Sequence, residues 1–245
     1  NACLQNGRIY GPGANNRYDS TIASTLNTPV GSEDCLTLNV WRPASDTANL
    51  PVIVFVYGGS NISGYTADPV YDGAALAKTA NAVVVTVNYR VGILGFMHLA
   101  QLKTGADAAE DSGNFALLDI VQALRWVRDN IAAFGGDPDN VTIFGESAGA
   151  GAVVSLLAVP AAGGLFRQAI AESPPAGMTR TREVAAIIAE KFAALLGARP
   201  ADAAHALMAA TPAELVNAID ALAAVPTLNT YGAFAVGPSC GSLDG

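Results

Sequence analysis

One serine in this sequence stands where its hydroxyl could attack a carbonyl. The apolar run Val141-Thr142-Ile143-Phe144 leads directly into Gly145-Glu146-Ser147-Ala148-Gly149, and a stretch of small residues follows. A serine hydroxyl is a weak nucleophile unless the chain exposes it, a base takes its proton and hydrogen-bond donors hold the oxyanion that forms. The spacing G-x-S-x-G between a strand and a helix meets the first of these needs. Its glycines allow a turn so tight that the serine backbone is strained and the hydroxyl stands clear at the end of the strand. The amide of Ala148 then opens a helix, aimed where negative charge would develop. The five-residue pattern alone occurs by chance in turns; the strand before it and the helix after it give it chemical meaning.

A second set of donors is expected upstream. Tyr57-Gly58-Gly59-Ser60 leaves another apolar run and turns sharply, so its free amides can face the serine; the alternative is an ordinary strand-ending turn. The base is harder to place, because the sequence contains only His98 and His205. His98 lies in the apolar stretch Ile93-Leu94-Gly95-Phe96-Met97 and reads as structural, while His205 sits in an Ala-rich helical segment and reads as solvent-facing. Hydrolases built on this elbow carry an acid and then a histidine after the serine. Both are expected beyond Gly245, in polypeptide that completes the enzyme, and this chain alone is expected to be inactive.

Other chemistries lack their signatures. Isolated histidines and scattered cysteines give no zinc-ligand spacing, and no G-x-G-x-x-G or Gly-Lys-Ser/Thr loop marks a nucleotide site, so neither metal nor organic cofactor is expected. A net charge of −8 argues against a non-specific grip on nucleic acid. No apolar run is long enough for a membrane span. Cys3 and Cys35 bracket a segment rich in Gly, Asn, Ser and Thr. A bridge between them would staple a surface loop and imply an oxidising compartment, although spacing alone leaves free thiols open. Cys240 is then left over.

Positioning these groups requires a sizeable α/β core, which a 245-residue chain with 51% hydrophobic residues can bury. Residues 1 to 35 read as a loop, with turn signals at Gly11-Pro12-Gly13 and Asn15-Asn16. Strands are expected at Leu36 to Trp41, Pro51 to Tyr57, Ala82 to Tyr89, Val141 to Phe144 and Gln168 to Glu172. Helices are expected at Asp72 to Thr79, Asn114 to Phe134 and Ala148 to Ala158. Strands alternating with helices predict a mostly parallel sheet flanked by helices. Beyond Pro174 the pattern changes to three Ala-rich helices, Thr181–Leu196, Ala201–Ala209 and Pro212–Leu222, read as a helical cap. The chain therefore divides into a surface loop (1–35), the N-terminal part of the core (36–173) and a cap region (174–245) whose fold continues beyond the chain.

Taken as a set, the motifs resemble those of the type-B carboxylesterases, an α/β-hydrolase family that includes the cholinesterases. Phe134–Gly149 resembles the family's nucleophile signature throughout, and Glu33-Asp34-Cys35-Leu36-Thr37-Leu38-Asn39-Val40-Trp41-Arg42-Pro43 resembles its second signature. Asn88–Phe96 and Gly113–Asp119 are similar to family segments in the same order. The resemblance implies a secreted or periplasmic serine esterase acting on small-molecule esters without a cofactor. Ser147 would form the acyl-enzyme, the amides of Gly59, Ser60 and Ala148 would bind the oxyanion, and Cys3 and Cys35 would form the family's first disulfide. Ser173 falls where the family has a serine beside the active site, with a structural hydrogen bond as its implied role. Ser60 stands where the family usually has a third glycine, so its side chain narrows or polarises the pocket. Residues 4 to 34 lack the tryptophan that cholinesterases use as a cation–π platform, offering only Tyr10 and Tyr18. A general carboxylic ester hydrolase is therefore implied rather than a choline esterase. The alternative is a silent adhesion-type relative, against which the intact elbow speaks.

Overall fold

The computed structural model describes residues 1–7, 28–98, 112–175 and 179–223. Tyr10, Tyr18, Cys240 and the turn signals at 11–16 lie outside them. Its centre is a five-stranded sheet in the order β3-β5-β4-β6-β7. Here β3 is Leu38–Trp41, β4 Leu50–Val56, β5 Val83–Val87, β6 Gly136–Glu146 and β7 Gln168–Glu172. Only β3 runs antiparallel to its neighbour; the other pairings are parallel. Continuous β-branched runs such as Val83-Val84-Val85-Thr86-Val87 suit this arrangement, because a central parallel strand is covered on both faces. All five residues of β5 are buried.

Helices follow the strands as the alternation predicts. They are α1 (Ala74–Ala80), α2 (Phe115–Asn130) and α3 (Ala148–Leu156). Leu117, Ile120, Val121, Leu124 and Val127 of α2 recur at helical spacing and are fully buried in the main core. The helix is shorter than expected: from Ile131 to Phe134 the chain tightens into a 3-10 turn that ends at Gly135 in the left-handed region. In the opposite sense, β6 starts five residues before the expected Val141, because Gly136 pairs with Leu50 across an irregularity in the ladder.

Residues 1 to 35 are not all loop. Gln5–Asn6 (β1) pairs antiparallel with Pro29–Val30 (β2), and Cys3 is bonded to Cys35. Two residues per strand carry too little periodicity to be read in sequence.

The remaining helices, α4 (Arg182–Leu195), α5 (Ala203–Ala209) and α6 (Pro212–Ala223), form a second core around Ile188, Phe192, Ile219 and Leu222. A 3-10 turn, Pro200–Asp202, replaces the expected start of α5. A capping box fixes the start of α6: the Thr211 amide and hydroxyl donate to Glu214 at 2.7 and 2.8 Å, and the Glu214 amide donates back at 3.3 Å. This layer rests on the segment after β5. Gly92, at φ +63, leaves room for Ile219, whose Cδ1 would lie 2.6 Å from a Cβ there.

Candidate active site

Parallel pairing brings the carboxyl ends of β4, β5, β6 and β7 to one rim, where Val56 is level with Val87 and Gly145, and Glu146 with Glu172. Ser147 is the residue between β6 and α3. Its backbone has φ 54 and ψ −123, a region that costs a non-glycine residue on the order of 1–3 kcal/mol. Its surroundings hold it there. Its amide donates to the Glu172 carbonyl at 2.9 Å, and its carbonyl accepts from Gly151 at 3.0 Å in the first turn of α3.

The flanking glycines act by close approach rather than by their own φ. A Cβ at Gly149 would lie 2.1 Å from the Val56 carbonyl oxygen, and one at Gly145 would lie 2.6 Å from the Gly149 carbonyl carbon. Strand β4, strand β6 and helix α3 therefore meet at backbone contact directly beneath the serine.

Beside it runs the turn after β4. A Cβ on Gly58 would lie 3.1 Å from Ser147 Cβ, so the start of this turn is adjacent to the serine. Gly59, Ser60 and Asn61 all have positive φ, at 108°, 56° and 61°. The Gly59 carbonyl faces inward and accepts from Ile62 and Ser63 at 3.0 and 3.1 Å. Among the described residues, the amides of Gly59 and Ser60 donate to no other group. Ala148 is the first residue of α3 and is buried, placing its amide at the positive end of the helix. Ser147, the start of α3 and the start of the turn that carries Gly59 and Ser60 thus lie together at one rim.

A cleft of about 750 Å³ opens over the adjoining sheet face, lined among others by Gly58, Gly59, Glu146, Phe55, Tyr71 and Phe144; Ser147, Ser60 and Ala148 do not line it. The Phe55 ring lies 4.9 Å from Tyr71 and 4.7 Å from Phe144, centroid to centroid. Burial pushes the Tyr71 phenol up, and the neighbouring Asp68 and Glu146 carboxylates push it further. Neither histidine lines the cleft. His98 is buried with Nδ1 3.2 Å from the Ser112 carbonyl, and His205 is exposed on α5, both as expected. Among the described residues no cluster of three metal-binding side chains occurs. Ser173 follows Glu172 at φ 53, but the implied structural hydrogen bond of its side chain is not formed among the described residues.

Two pairs went unread in the sequence. Asp119 on α2 receives the Arg90 amide at 3.0 Å and its guanidinium at 2.8 and 2.7 Å. Tyr57 and Tyr89 stack with ring centroids 4.4 Å apart. Each pair joins residues distant in the chain, and no local spacing signals the pairing.

A mostly parallel sheet flanked by helices, with a strained serine at the junction of β6 and α3, is the architecture of an α/β-hydrolase. The chain belongs to the carboxylesterase family, whose model matches residues 1–241. It is 49% identical over 174 residues to a para-nitrobenzyl esterase of Bacillus subtilis, covering 71% of this chain and 34% of that protein. It is 44% identical over 173 residues to acetylcholinesterase 4 of Caenorhabditis briggsae, covering 71% and 26%. A solved PNB esterase structure superposes with a TM-score of 0.76 at 41% identity, covering 94% of this chain and 46% of that one. The chain thus spans less than half the length of these relatives.

Proposed function

We propose that this chain carries the nucleophile and oxyanion site of a serine carboxylic ester hydrolase. The observation that carries the reading is Ser147 held at positive φ at the strand–helix junction, beside Gly58 and the turn whose Gly59 and Ser60 amides have no acceptor among the described residues. Ser147 Oγ attacks the ester carbonyl carbon as a base removes its proton. The amides of Gly59, Ser60 and Ala148 stabilise the oxyanion, and the alcohol leaves with a proton returned by the base. Water then attacks the acyl-enzyme by the same route and releases the acid. No metal or organic cofactor takes part.

The base and the acid that orients it belong to polypeptide outside these 245 residues. One feature supports this: among the described residues β7 is a sheet edge, exposed at all five of its residues and open to a further strand. The Cys3–Cys35 bridge supports an oxidising compartment, and among the described residues no helix is long and apolar enough to cross a membrane.

Fluorophosphonate labelling of the full-length protein tests the assignment. Wild type should label and turn over p-nitrophenyl esters, whereas Ser147→Ala should lose labelling and lower kcat by roughly 10⁶-fold. Labelling that survives in Ser147→Ala removes this serine from the mechanism.

A further inference from the structure

The turn that supplies the amides leaves the sheet before it reaches the serine. The last ladder pairing between β4 and β5 is Val56 with Val87; beyond it the main chain of residues 57–60 must be held by other means. Tyr57 and Tyr89 occupy this gap. The Tyr89 hydroxyl donates to the Tyr57 carbonyl at 2.6 Å, while the Tyr57 hydroxyl donates to the Tyr89 carbonyl at 2.9 Å and accepts from the Tyr89 amide at 3.3 Å. Both side chains are fully enclosed, and burial pushes both phenols well up, so each keeps the proton it donates.

The two hydroxyls do different work. Tyr57 ties down the chain leading to Arg90, which Asp119 also holds. Tyr89 ties down the Tyr57 carbonyl, which shares a rigid peptide plane with the Gly58 amide. The same carbonyl borders the elbow, since a Cβ at Gly149 would lie 2.5 Å from it. Fixing this oxygen fixes the direction in which the chain enters Gly58, Gly59 and Ser60.

We propose that Tyr89 is a positioning residue of the oxyanion site: its hydroxyl, through the Tyr57 carbonyl, aims the Gly59 and Ser60 amides at the oxygen that becomes negative when Ser147 attacks. The inference rests on the hydrolytic reading above. Such donors stabilise a transition state only when preorganised, so loosening them lowers the rate of the chemical step and leaves ground-state binding nearly intact.

The test measures the inactivation rate constant and the reversible binding constant of a fluorophosphonate on full-length protein, alongside thermal midpoints. Tyr89→Phe should lower the rate constant about tenfold with reversible binding changed less than about twofold. Tyr57→Phe, which loses the opposite hydrogen bonds, should lower it less than about threefold. Leu124→Ala, a core truncation in α2 with a comparable or larger fall in thermal midpoint, should leave the rate constant within about twofold. An unchanged rate in Tyr89→Phe, or a loss of rate that tracks the loss of stability across all three variants, overturns the proposal. Should Tyr89→Phe fail to fold, Tyr57→Phe decides: a tenfold fall there overturns the asymmetry, and a retained rate supports it. Absence of labelling in wild type, or its persistence in Ser147→Ala, sinks the hydrolytic reading itself and is distinguishable from every tyrosine result.

Discussion

Ser147 keeps an unfavourable backbone conformation because three pieces of main chain leave it no alternative: the Glu172 carbonyl above its amide, the first turn of α3 after it and the Val56 carbonyl beneath Gly149. The sharpest consequence falls on Gly149. Adding one methyl there drives a carbon to 2.1 Å from a backbone oxygen, and neither partner is a flexible side-chain end. Gly149→Ala should therefore cost at least about 3 kcal/mol, seen in urea denaturation, and abolish labelling in whatever protein remains folded. The tyrosine pair gives a second expectation. Both phenols titrate higher in the folded protein than their ordinary value of 10.0. A raised pKa favours the native state below pH 10 and withdraws that support as pH rises, because the unfolded chain releases the protons first. Stability should fall above about pH 10, by up to roughly 2.7 kcal/mol per pH unit for the two groups together. Thermal midpoints of wild type and the double Phe variant across that range measure the difference. The strand–turn–helix around Ser147 and the glycine-rich turn after β4 were legible in sequence because strand, turn and helix signals are local. The tyrosine pair and the Arg90–Asp119 link were not, since residues 32 and 29 positions apart meet only after the sheet forms.

Among the elements, the parallel strands and α2 were readable because burial on both faces writes continuous apolar runs, and burial on one face writes a 3.6-residue period. Boundaries were less so. Gly136 joins β6 through its pairing with Leu50 of β4 rather than through any β-propensity of its own, and β1 and β2 are too short to leave a pattern. The latter pair is held by its hydrogen bonds and flanked by a covalent link. The Cys3–Cys35 bond closes a loop with a sequence separation of 32, worth roughly 3–4 kcal/mol on the loop-entropy model. Cys35→Ala should lower unfolding free energy by about that amount in a reducing-agent-free denaturant titration, and wild type in reductant should approach the variant.

On the scale of the molecule, the two sheet edges among the described residues, β3 and β7, differ in exposure. Strand β3 ends the sheet antiparallel, while β7 presents five exposed residues, with Ile170 50% exposed and level with Phe144 on β6. If further polypeptide pairs here, as the proposed source of the histidine requires, this edge is interior in the full-length protein. Ile170→Asp should then destabilise that protein by about 2 kcal/mol or more in chemical denaturation, against a change within about 0.5 kcal/mol for a solvent-facing site.

The common direction of β4 to β7 has a practical side. The residues proposed to react or donate, Ser147, Gly59, Ser60 and Ala148, sit where these strands finish, and none of them lies where the strands start. Gly164, in the connection that feeds into β7, has open space around it, with nothing within 4 Å of a would-be side chain. Five strand residues, about 17 Å, separate that connection from Glu172. A fluorophore, an affinity handle or a whole foreign module grafted there would ride on the quiet shore of the protein, out of earshot of the serine.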